Sequence, residues 1–569
     1  MRVLVLALLA GLVALALSAS SPSAPSRTNP VQAENAQPGS TGWRFRPAAQ
    51  HAIEGYASQA SAAPGDTLEL HVSTAHAASY RIEIYRLGWY GGAGGRLMAC
   101  APASCADEPG RPQALTMPAG DGFLDAGWPV TDRLTVPPTW VSGYYSAVLR
   151  LTTGPAANSG NSIPFVVRAP PPRQSAILVQ APVNTWQAYN DWGGTSLYHD
   201  SSGAPCKGVC TRVSFDRPYA EGGPHGLWPY ELPLVHFLEK SGYDVSYTTD
   251  VDTDADPGEL LRHRLVIVDG HGEYWTKTMR DAFDTARSVG TNLAFLGANT
   301  GYWQMRYADD RRTIVEYRLA RLDPEPNPAL KTVRFRELGR PECELEGIEY
   351  VRAGGESIGG PFDYGVAPGG LSDPWFAGTA LTASSVLPGL VGYEWDALSA
   401  GCRTPPSTVL FHYGGPPAPA DAVRFTAPSG AVVFSAGSLS FAQGLDDWRS
   451  EPRSLPSGDP RLEAFMANVL ADLERPAPPR VSTSAGRGRV RIELRRARDP
   501  RVEAVSVFRA PARDPLARGS RGMHLVCRTL LPSCLDSTAP RGRAVRYVVV
   551  VRDPWGSSVP LVTRPVAAR

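Results

Sequence analysis

The sequence predicts a multidomain α/β plus all-β chain, with a β-sandwich at each end and a doubly wound parallel sheet between them. Three observations carry this prediction. At 569 residues the chain has room for three or four domains of ~150 residues. Hydrophobic residues make up 43% and charged residues 20%, a globular balance that excludes disorder over most of the length. The hydrophobic period is two near both ends, and gives way in the middle to short apolar runs separated by helical stretches. Gly (56) and Pro (53) are abundant without a G-X-Y period, which excludes collagen and favours turn-rich β structure.

Residues 1–20 open with Arg2, run apolar from Val3 to Leu17 and end in Ser18-Ala19-Ser20. A basic start, a short apolar core and small residues describe a secretory signal peptide, and the run is shorter than the ~20 residues that span a bilayer. No transmembrane segment is expected, and the protein is expected to be secreted or held at the cell surface. Residues 21–48 are rich in Ser, Pro, Ala, Gln and Gly and read as a linker. The eight cysteines fall into close pairs: Cys100 with Cys105, Cys206 with Cys210, Cys527 with Cys534. Cys343 is left for Cys402. In an exported chain this reads as four disulfides. Cys206 and Cys210 also have a tolerable zinc spacing, but no second half matches it.

The formal net charge of +1 gives no reason to expect a nucleic-acid partner. The charge is uneven, because residues 480–569 hold 19 Arg, no Lys and 6 Asp plus Glu. These arginines are scattered rather than grouped, and read as composition before they read as contact with an anionic surface.

The first block spans 49–169. Leu68-Glu-Leu-His-Val72, Tyr80-Arg-Ile-Glu-Ile-Tyr85 and Ser146-Ala-Val-Leu-Arg-Leu-Thr152 alternate, and Pro64-Gly65-Asp66 and Gly91 to Gly95 supply turns. This spacing predicts an immunoglobulin-like antiparallel sandwich. Pro170-Pro-Pro-Arg173 reads as a stiff linker. The second block, 174–475, predicts strands at Ala176–Val179, Tyr243–Thr248, Leu265–Val268, Asn292–Leu296 and Val432–Phe434, and helices at Leu234–Lys240, Lys277–Val289 and Arg461–Leu473. Strands alternating with helices predict a parallel, doubly wound sheet. Residues 310–430 are rich in Gly and Pro and read as a β-rich insertion over the edge of that sheet. The third block, 481–569, alternates again through Arg489–Leu494, Ala504–Phe508 and Val545–Val551, and predicts a fibronectin type III-like sandwich.

Ligands of an open parallel sheet bind beyond the carboxyl ends of its strands. Three loops lie there: Asn184–Gly193, Asp269-Gly-His-Gly-Glu-Tyr-Trp275 and Gly297-Ala-Asn-Thr-Gly-Tyr-Trp303. All three are dense in aromatic and polar residues, more than a turn alone requires. The second stands where a nucleophile elbow would be, but it carries His271 and Glu273 and no Ser or Cys, so serine-hydrolase chemistry loses support. No HExxH and no post-strand G-x-G-x-x-G occurs, which argues against a zincin and against dinucleotide binding. Asp250-x-Asp252-x-Asp254-x-Asp256 imitates a calcium loop, but Ala255 and Leu261 stand where Gly and Glu belong, so it reads as a solvated acidic loop.

The segments Asn184–Gly194, Arg217-Pro-Tyr219, Asp269–Trp275, Ala298–Trp303 and Gly437-Ser-Leu-Ser440 resemble the large (β) subunit of N,N-dimethylformamidase, above all its C-terminal catalytic domain. The resemblance covers about 50–475. It implies a glutamine-amidotransferase-like α/β fold without the amidotransferase's cysteine, and one Fe(III) held by two tyrosines and a glutamate. By motif position Tyr189, Tyr219 and Glu273 are the implied metal ligands, and His271, Asn299 and Glu394 the implied catalytic polar residues around them. Hard oxygen donors suit Fe(III), and a metal with open positions polarises an amide carbonyl and holds hydroxide at neutral pH. Read from the residues alone, Glu273 has the alternative of a helix cap and Tyr189 that of a packed aromatic, and Asn299 serves equally as a turn residue.

The resemblance therefore implies an amidohydrolase that cleaves a C–N amide bond with iron-bound hydroxide, acting on a small amide. The family's enzyme works inside the cell with a small partner subunit. An export signal, disulfides and a C-terminal sandwich depart from that pattern. A small subunit and a homo-oligomer both stay open. The other class of reading is a non-catalytic surface or carbohydrate- or polymer-binding protein that keeps the amidase fold.

Overall fold

The computed structural model describes residues 29–569 except 76–77, 172–173, 201, 203–205, 207–209, 225, 354–360, 404–405, 448–457, 496–498 and 514–522. The expected signal peptide, residues 1–20, lies outside the described residues. Of the expected linker, residues 29–48 are docked rather than free. Pro30–Asn35 forms a helical turn capped by Asn29, Val31 and Trp43 are buried, and the Asn35 side chain donates to Glu239 Oε2 at 2.7 Å. One Trp and one apolar anchor in a polar stretch are enough to dock it.

The N-terminal block is a sandwich of a seven-stranded and a three-stranded sheet. Leu68, Leu70 and Val72 of the smaller sheet meet Ile82, Ile84, Ala147, Leu149 and Phe165 of the larger. The alternation expected at 146–152 is not seen as alternating exposure. In strand Gly143–Leu151 every residue but Arg150 is buried. The outer face of the larger sheet, with Tyr85, Leu87, Tyr144, Val148 and Val166, joins the core of the central block. A fully buried ion pair, Arg86 Nη2 to Glu239 Oε1 at 2.6 Å, crosses that joint.

The central sheet has nine strands. In chain order they are β1 (Ile177–Ala181), β2 (Val245–Thr249), β3 (Leu265–Asp269), β4 (Asn292–Leu296), β5 (Phe362–Val366), β6 (Val386–Val391), β7 (Thr408–Tyr413), β8 (Ala420–Thr426) and β9 (Val432–Ser435). The order across the sheet is β2-β1-β3-β4-β9-β8-β7-β5-β6. The first five are parallel, and β8, β7, β5 and β6 continue antiparallel. The 310–430 segment therefore extends the sheet in plane, where an insertion laid over its edge was expected. The reason is local: β8 precedes β9 by a tight turn and must pair beside it antiparallel.

Strands β1, β3, β4 and β9 divide their side chains between two cores. Ile177, Val179, Leu265, Ile267 and Phe434 face helices α2 (Leu232–Lys240) and α4 (Pro460–Leu473), with Leu234, Phe237, Phe465 and Val469 opposite. Leu178, Val266, Val268, Leu293 and Val433 face α3 (Lys277–Ser288), with Met279 and Phe283 opposite. Helices on both faces bury both sides of every central strand, which is why these strands read as unbroken apolar runs. The short α1 (Val183–Ala188) follows β1. Asp250–Ala255 is a helical turn with a Thr249–Asp252 capping box, not a solvated loop. Asp250 is fully buried and accepts from Gln180 Nε2 and the Asn184 N–H.

The C-terminal block folds into a three-stranded and a five-stranded sheet around Val490, Ile492, Val505, Val507, Tyr547 and Val549. It is bolted to the central block through Arg264, whose side chain is fully buried. Arg264 donates to Asp553 Oδ2 and Asp499 Oδ2, both at 2.8 Å, and Arg501 reaches back to the His263 carbonyl and Thr291 Oγ1. The four expected disulfides are present, 100–105, 206–210, 343–402 and 527–534. Among the described residues no helix is long and apolar enough to cross a membrane.

Removing one partner of a buried ion pair typically costs about 3–5 kcal/mol. Asp553→Ala is therefore expected to destabilise the protein by roughly that amount, read as a lowered denaturant midpoint. An unchanged midpoint would mean that the tail's docking does not rest on Arg264.

Candidate functional site

The three loops at the carboxyl ends of β1, β3 and β4 meet in one place. The β3 and β4 loops touch backbone to backbone. Gly270 sits at φ +58°, and a Cβ at Gly297 would lie 1.8 Å from the Gly270 carbonyl oxygen, so no side chain fits there. Gly301 N–H donates to the Gly272 carbonyl at 2.8 Å, and Tyr302 and Trp303 both donate to the Glu273 carbonyl at 3.1 Å. From the third side, Thr185 Oγ1 of α1 accepts the Glu273 N–H at 3.0 Å, and Asn184 Nδ2 donates to the Tyr274 carbonyl at 3.0 Å. Glu273 is not a helix cap, because Thr276 caps α3. Its carboxylate is free to face inward.

Glu273 is 2% exposed, and its environment is mostly oxygen. The Tyr198 hydroxyl lies 3.1 Å from both Glu273 oxygens and 2.6 Å from the Tyr274 hydroxyl. The Tyr189 hydroxyl is hydrogen-bonded to Glu273 and Tyr198, with its ring 4.3 Å from that of Tyr198. His271 Nε2 lies 3.4 Å from Glu273 Oε2 and 3.0 Å from Glu394 Oε2. The second distance is that of an ion pair, but the ring N–H is not aligned for a hydrogen bond. Asn299, held at φ +54° with its N–H on Asp396 Oδ1, donates its side-chain amide to Glu394 Oε2 at 2.8 Å, and its Oδ1 has no hydrogen-bond partner.

Five of the six residues singled out from the sequence, Tyr189, His271, Glu273, Asn299 and Glu394, thus converge. Tyr219 does not join them. Its ring packs edge-on to Trp186 at 6.5 Å, and its hydroxyl interacts with Gln187, Arg312 and Arg217 in a separate pocket lined by Tyr56 and Phe215. Tyr198 stands in the place expected of Tyr219. A signal for it existed: Tyr198 is nine residues beyond Tyr189 in the same post-strand stretch. Tyr274 and Arg318, whose Nη2 donates to the Tyr274 hydroxyl at 2.8 Å, were also missed. Tyr274 lay inside the quoted motif; Arg318 lies in the insertion, where no pattern marks it.

Burial governs the electrostatics. It alone would hold His271 neutral, but the Glu394 and Glu273 carboxylates outweigh it and raise the imidazole to about 9. Burial lifts Glu273 to about 7 against the pull of His271. Behind the site, burial lifts Glu231 to about 8 and Asp396 to about 8, and holds Asp269 well above the carboxylate range. Three nearby acids therefore stay largely protonated at neutral pH, and one imidazolium and one guanidinium face the rest. Two phenols and a carboxylate around one point are hard donors of the kind a trivalent cation takes. Cys343, Cys402 and Glu349 also converge, but both sulfurs there are spent in a disulfide.

The parallel strands thus gather a buried Tyr–Tyr–Glu cluster beside His, Asn and Glu at their carboxyl ends, where ligands of such sheets bind. Residues 81–454 match the family described as N,N-dimethylformamidase beta subunit-like, C-terminal, and the chain belongs to that family. The chain is similar to the N,N-dimethylformamidase beta subunit of Paracoccus aminophilus, at 23% identity over 63% of this chain and 56% of that protein. It is similar to the N,N-dimethylformamidase beta subunit of Alcaligenes sp at 25% identity, over 34% of this chain and 28% of that one. The chain thus spans little more than half of the first relative and about a quarter of the second. Among solved structures, the mmIFT52 N-terminal domain overlaps 41% of this chain and 86% of its own at 15% identity and a TM-score of 0.23, too loose to support a reading.

Glu231 gives a pH prediction away from the proposed donors. A carboxyl whose pKa is raised in the fold favours folding below about 4.5, and that contribution is lost as the pH rises through about 8. Wild-type stability relative to Glu231→Gln should therefore fall between pH 5 and pH 9, by an amount on the order of a few kcal/mol at about 1.4 kcal/mol per pKa unit. Urea midpoints of the two proteins that stay parallel across that range would exclude the buried, protonated Glu231.

Proposed function

We propose that the chain is a secreted metal-dependent amidohydrolase of the N,N-dimethylformamidase type, which cleaves a C–N amide bond of a small amide. The observation that carries the proposal is the buried Glu273 with the Tyr189 and Tyr198 hydroxyls against it. In this reading Tyr189, Tyr198 and Glu273 hold one Fe(III), with Tyr198 in place of Tyr219. Five parallel strands with helices on both faces, and chemistry at their carboxyl ends, support the glutamine-amidotransferase-like reading of the central block. Four disulfides and the Arg2-led apolar run support export. Because the relatives are named as beta subunits, a partner subunit or a homo-oligomer belongs to the same proposal.

A hard trivalent cation at this point supplies Lewis acidity for an amide carbonyl and for water. The chain's own residues do the rest. Asn299 turns its Nδ2–H from Glu394 to the oxyanion that develops on the carbonyl oxygen, where one such donor is typically worth ~3 kcal/mol. Glu394 takes the proton released by the attacking water and passes it to the departing amine nitrogen. The C–N bond breaks as that nitrogen is protonated, giving a carboxylic acid and an amine. His271, charged and wedged between Glu273 and Glu394, holds both carboxylates in place.

Tyr189→Phe, Tyr198→Phe and Glu273→Ala should each lose bound iron and the visible phenolate-to-iron absorption, while Tyr219→Phe keeps both. Metal analysis and absorption spectra of the folded variants decide this. Asn299→Ala should keep the iron and slow amide hydrolysis by roughly 10²-fold or more. A colourless wild type without stoichiometric iron after expression in iron-replete medium would overturn the proposal and leave the binding-protein reading ahead.

A further inference from the structure

Arg318 lies outside every motif of the site, yet it is built into it. It sits at φ +60°, a left-handed backbone that a non-glycine residue adopts only when its surroundings hold it there. The buried Glu316 side chain holds it by accepting the Arg318 N–H at 2.8 Å. The bend turns the guanidinium towards Tyr198 and Tyr274. Nη2 donates to the Tyr274 hydroxyl at 2.8 Å, and the carbon of the guanidinium lies 4.3 Å from the Tyr198 ring centre and 5.4 Å from that of Trp303. Its Nε is buried with no hydrogen-bond partner.

A direction follows from these contacts. The Tyr274 oxygen accepts from Arg318, and because the one hydrogen of Tyr198 is given to the Glu273 carboxylate, the 2.6 Å contact between the two hydroxyls has Tyr274 as its donor. Tyr198 in turn donates to Glu273 at 3.1 Å. Every donor from Arg318 to Glu273 therefore points the same way. The Tyr198 oxygen is thus held by the Tyr274 hydroxyl at 2.6 Å, and its ring by the cation over its face.

We propose that Arg318 is a positioning residue that, through Tyr274 and through its stacking on the ring, fixes the Tyr198 oxygen against Glu273 and so sets the affinity and the electronic character of the centre. The inference rests on the reading above for the role of Tyr198, but not for the placement of its ring. Lys keeps the charge without the flat fork that stacks and donates together, and Gln keeps neither.

The test compares wild type, Arg318→Gln, Arg318→Lys and Tyr274→Phe in two states. Crystal structures of the metal-free proteins should show the Tyr198 ring displaced from Glu273 in Arg318→Gln and less so in Arg318→Lys. After loading with Fe(III), the affinity of Arg318→Gln should fall by roughly 10- to 100-fold. The visible band of the remaining complex should shift, with Arg318→Lys partly restoring affinity and Tyr274→Phe shifting the band in the same sense. An Arg318→Gln protein that keeps Tyr198 in place and the wild-type band overturns the inference. If Arg318→Gln does not fold, Arg318→Lys and Tyr274→Phe with wild-type spectra and ring positions overturn it equally. If wild type takes up no iron, the reading of the centre fails, and Arg318 is judged on the ring positions of the metal-free proteins alone.

Discussion

The constraint on which the structure depends is the burial of acid at the carboxyl edge of the parallel sheet. Glu273 and Glu394 point into one small space, with Glu231, Asp269 and Asp396 packed behind. Desolvating several carboxylates together is affordable only because burial keeps the rear three largely protonated, while His271 and Arg318 supply positive charge in front. The glycine crossing of Gly270 and Gly297 follows from that need. It lets the two strand-end loops close on each other and bring their side chains to one point. In the proposed reading, a hard metal ion at the Tyr189, Tyr198 and Glu273 oxygens completes this arrangement.

The rest of the molecule holds this edge still. The N-terminal sandwich shares a core with the central block, and Tyr144 reaches from it to Asp269 at 3.3 Å. The C-terminal sandwich is fastened at the opposite ends of the strands, through Arg264 just before β3. β3 carries the His271–Glu273 loop, so both flanking units bear on the strand that positions it. This accounts for strands buried on both faces, such as Gly143–Leu151 apart from Arg150, that would be half-exposed in a free sandwich.

The architecture was largely legible in the sequence because its signals are local. The apolar runs at Leu265–Val268 and Asn292–Leu296 and the helix at Lys277 are set by period and by caps within a few residues. Three of the cysteine pairs were legible for the same reason, and Cys343–Cys402 because it was the pair left over. The acidic 250–256 stretch was misread because its burial comes from Gln180 and Asn184, seventy residues away in sequence. The site was legible where a motif sits at a strand end, at His271, Glu273 and Asn299. Tyr219 was misplaced because a motif fixes a residue in a loop but not the direction in which the loop sends it. Tyr198 and Arg318 owe their places to contacts across long stretches of chain, and Arg318 to a single left-handed backbone turn.

The central claim is that Tyr189, Tyr198 and Glu273 form one metal centre at the carboxyl edge of the sheet. The most direct measurement is an anomalous difference map, recorded across the iron absorption edge on crystals of the protein as purified. The account predicts one iron peak bonded to the oxygens of these three residues, with Tyr219 distant from it. A peak elsewhere, a peak bonded to Tyr219, or no peak in iron-replete protein would contradict it.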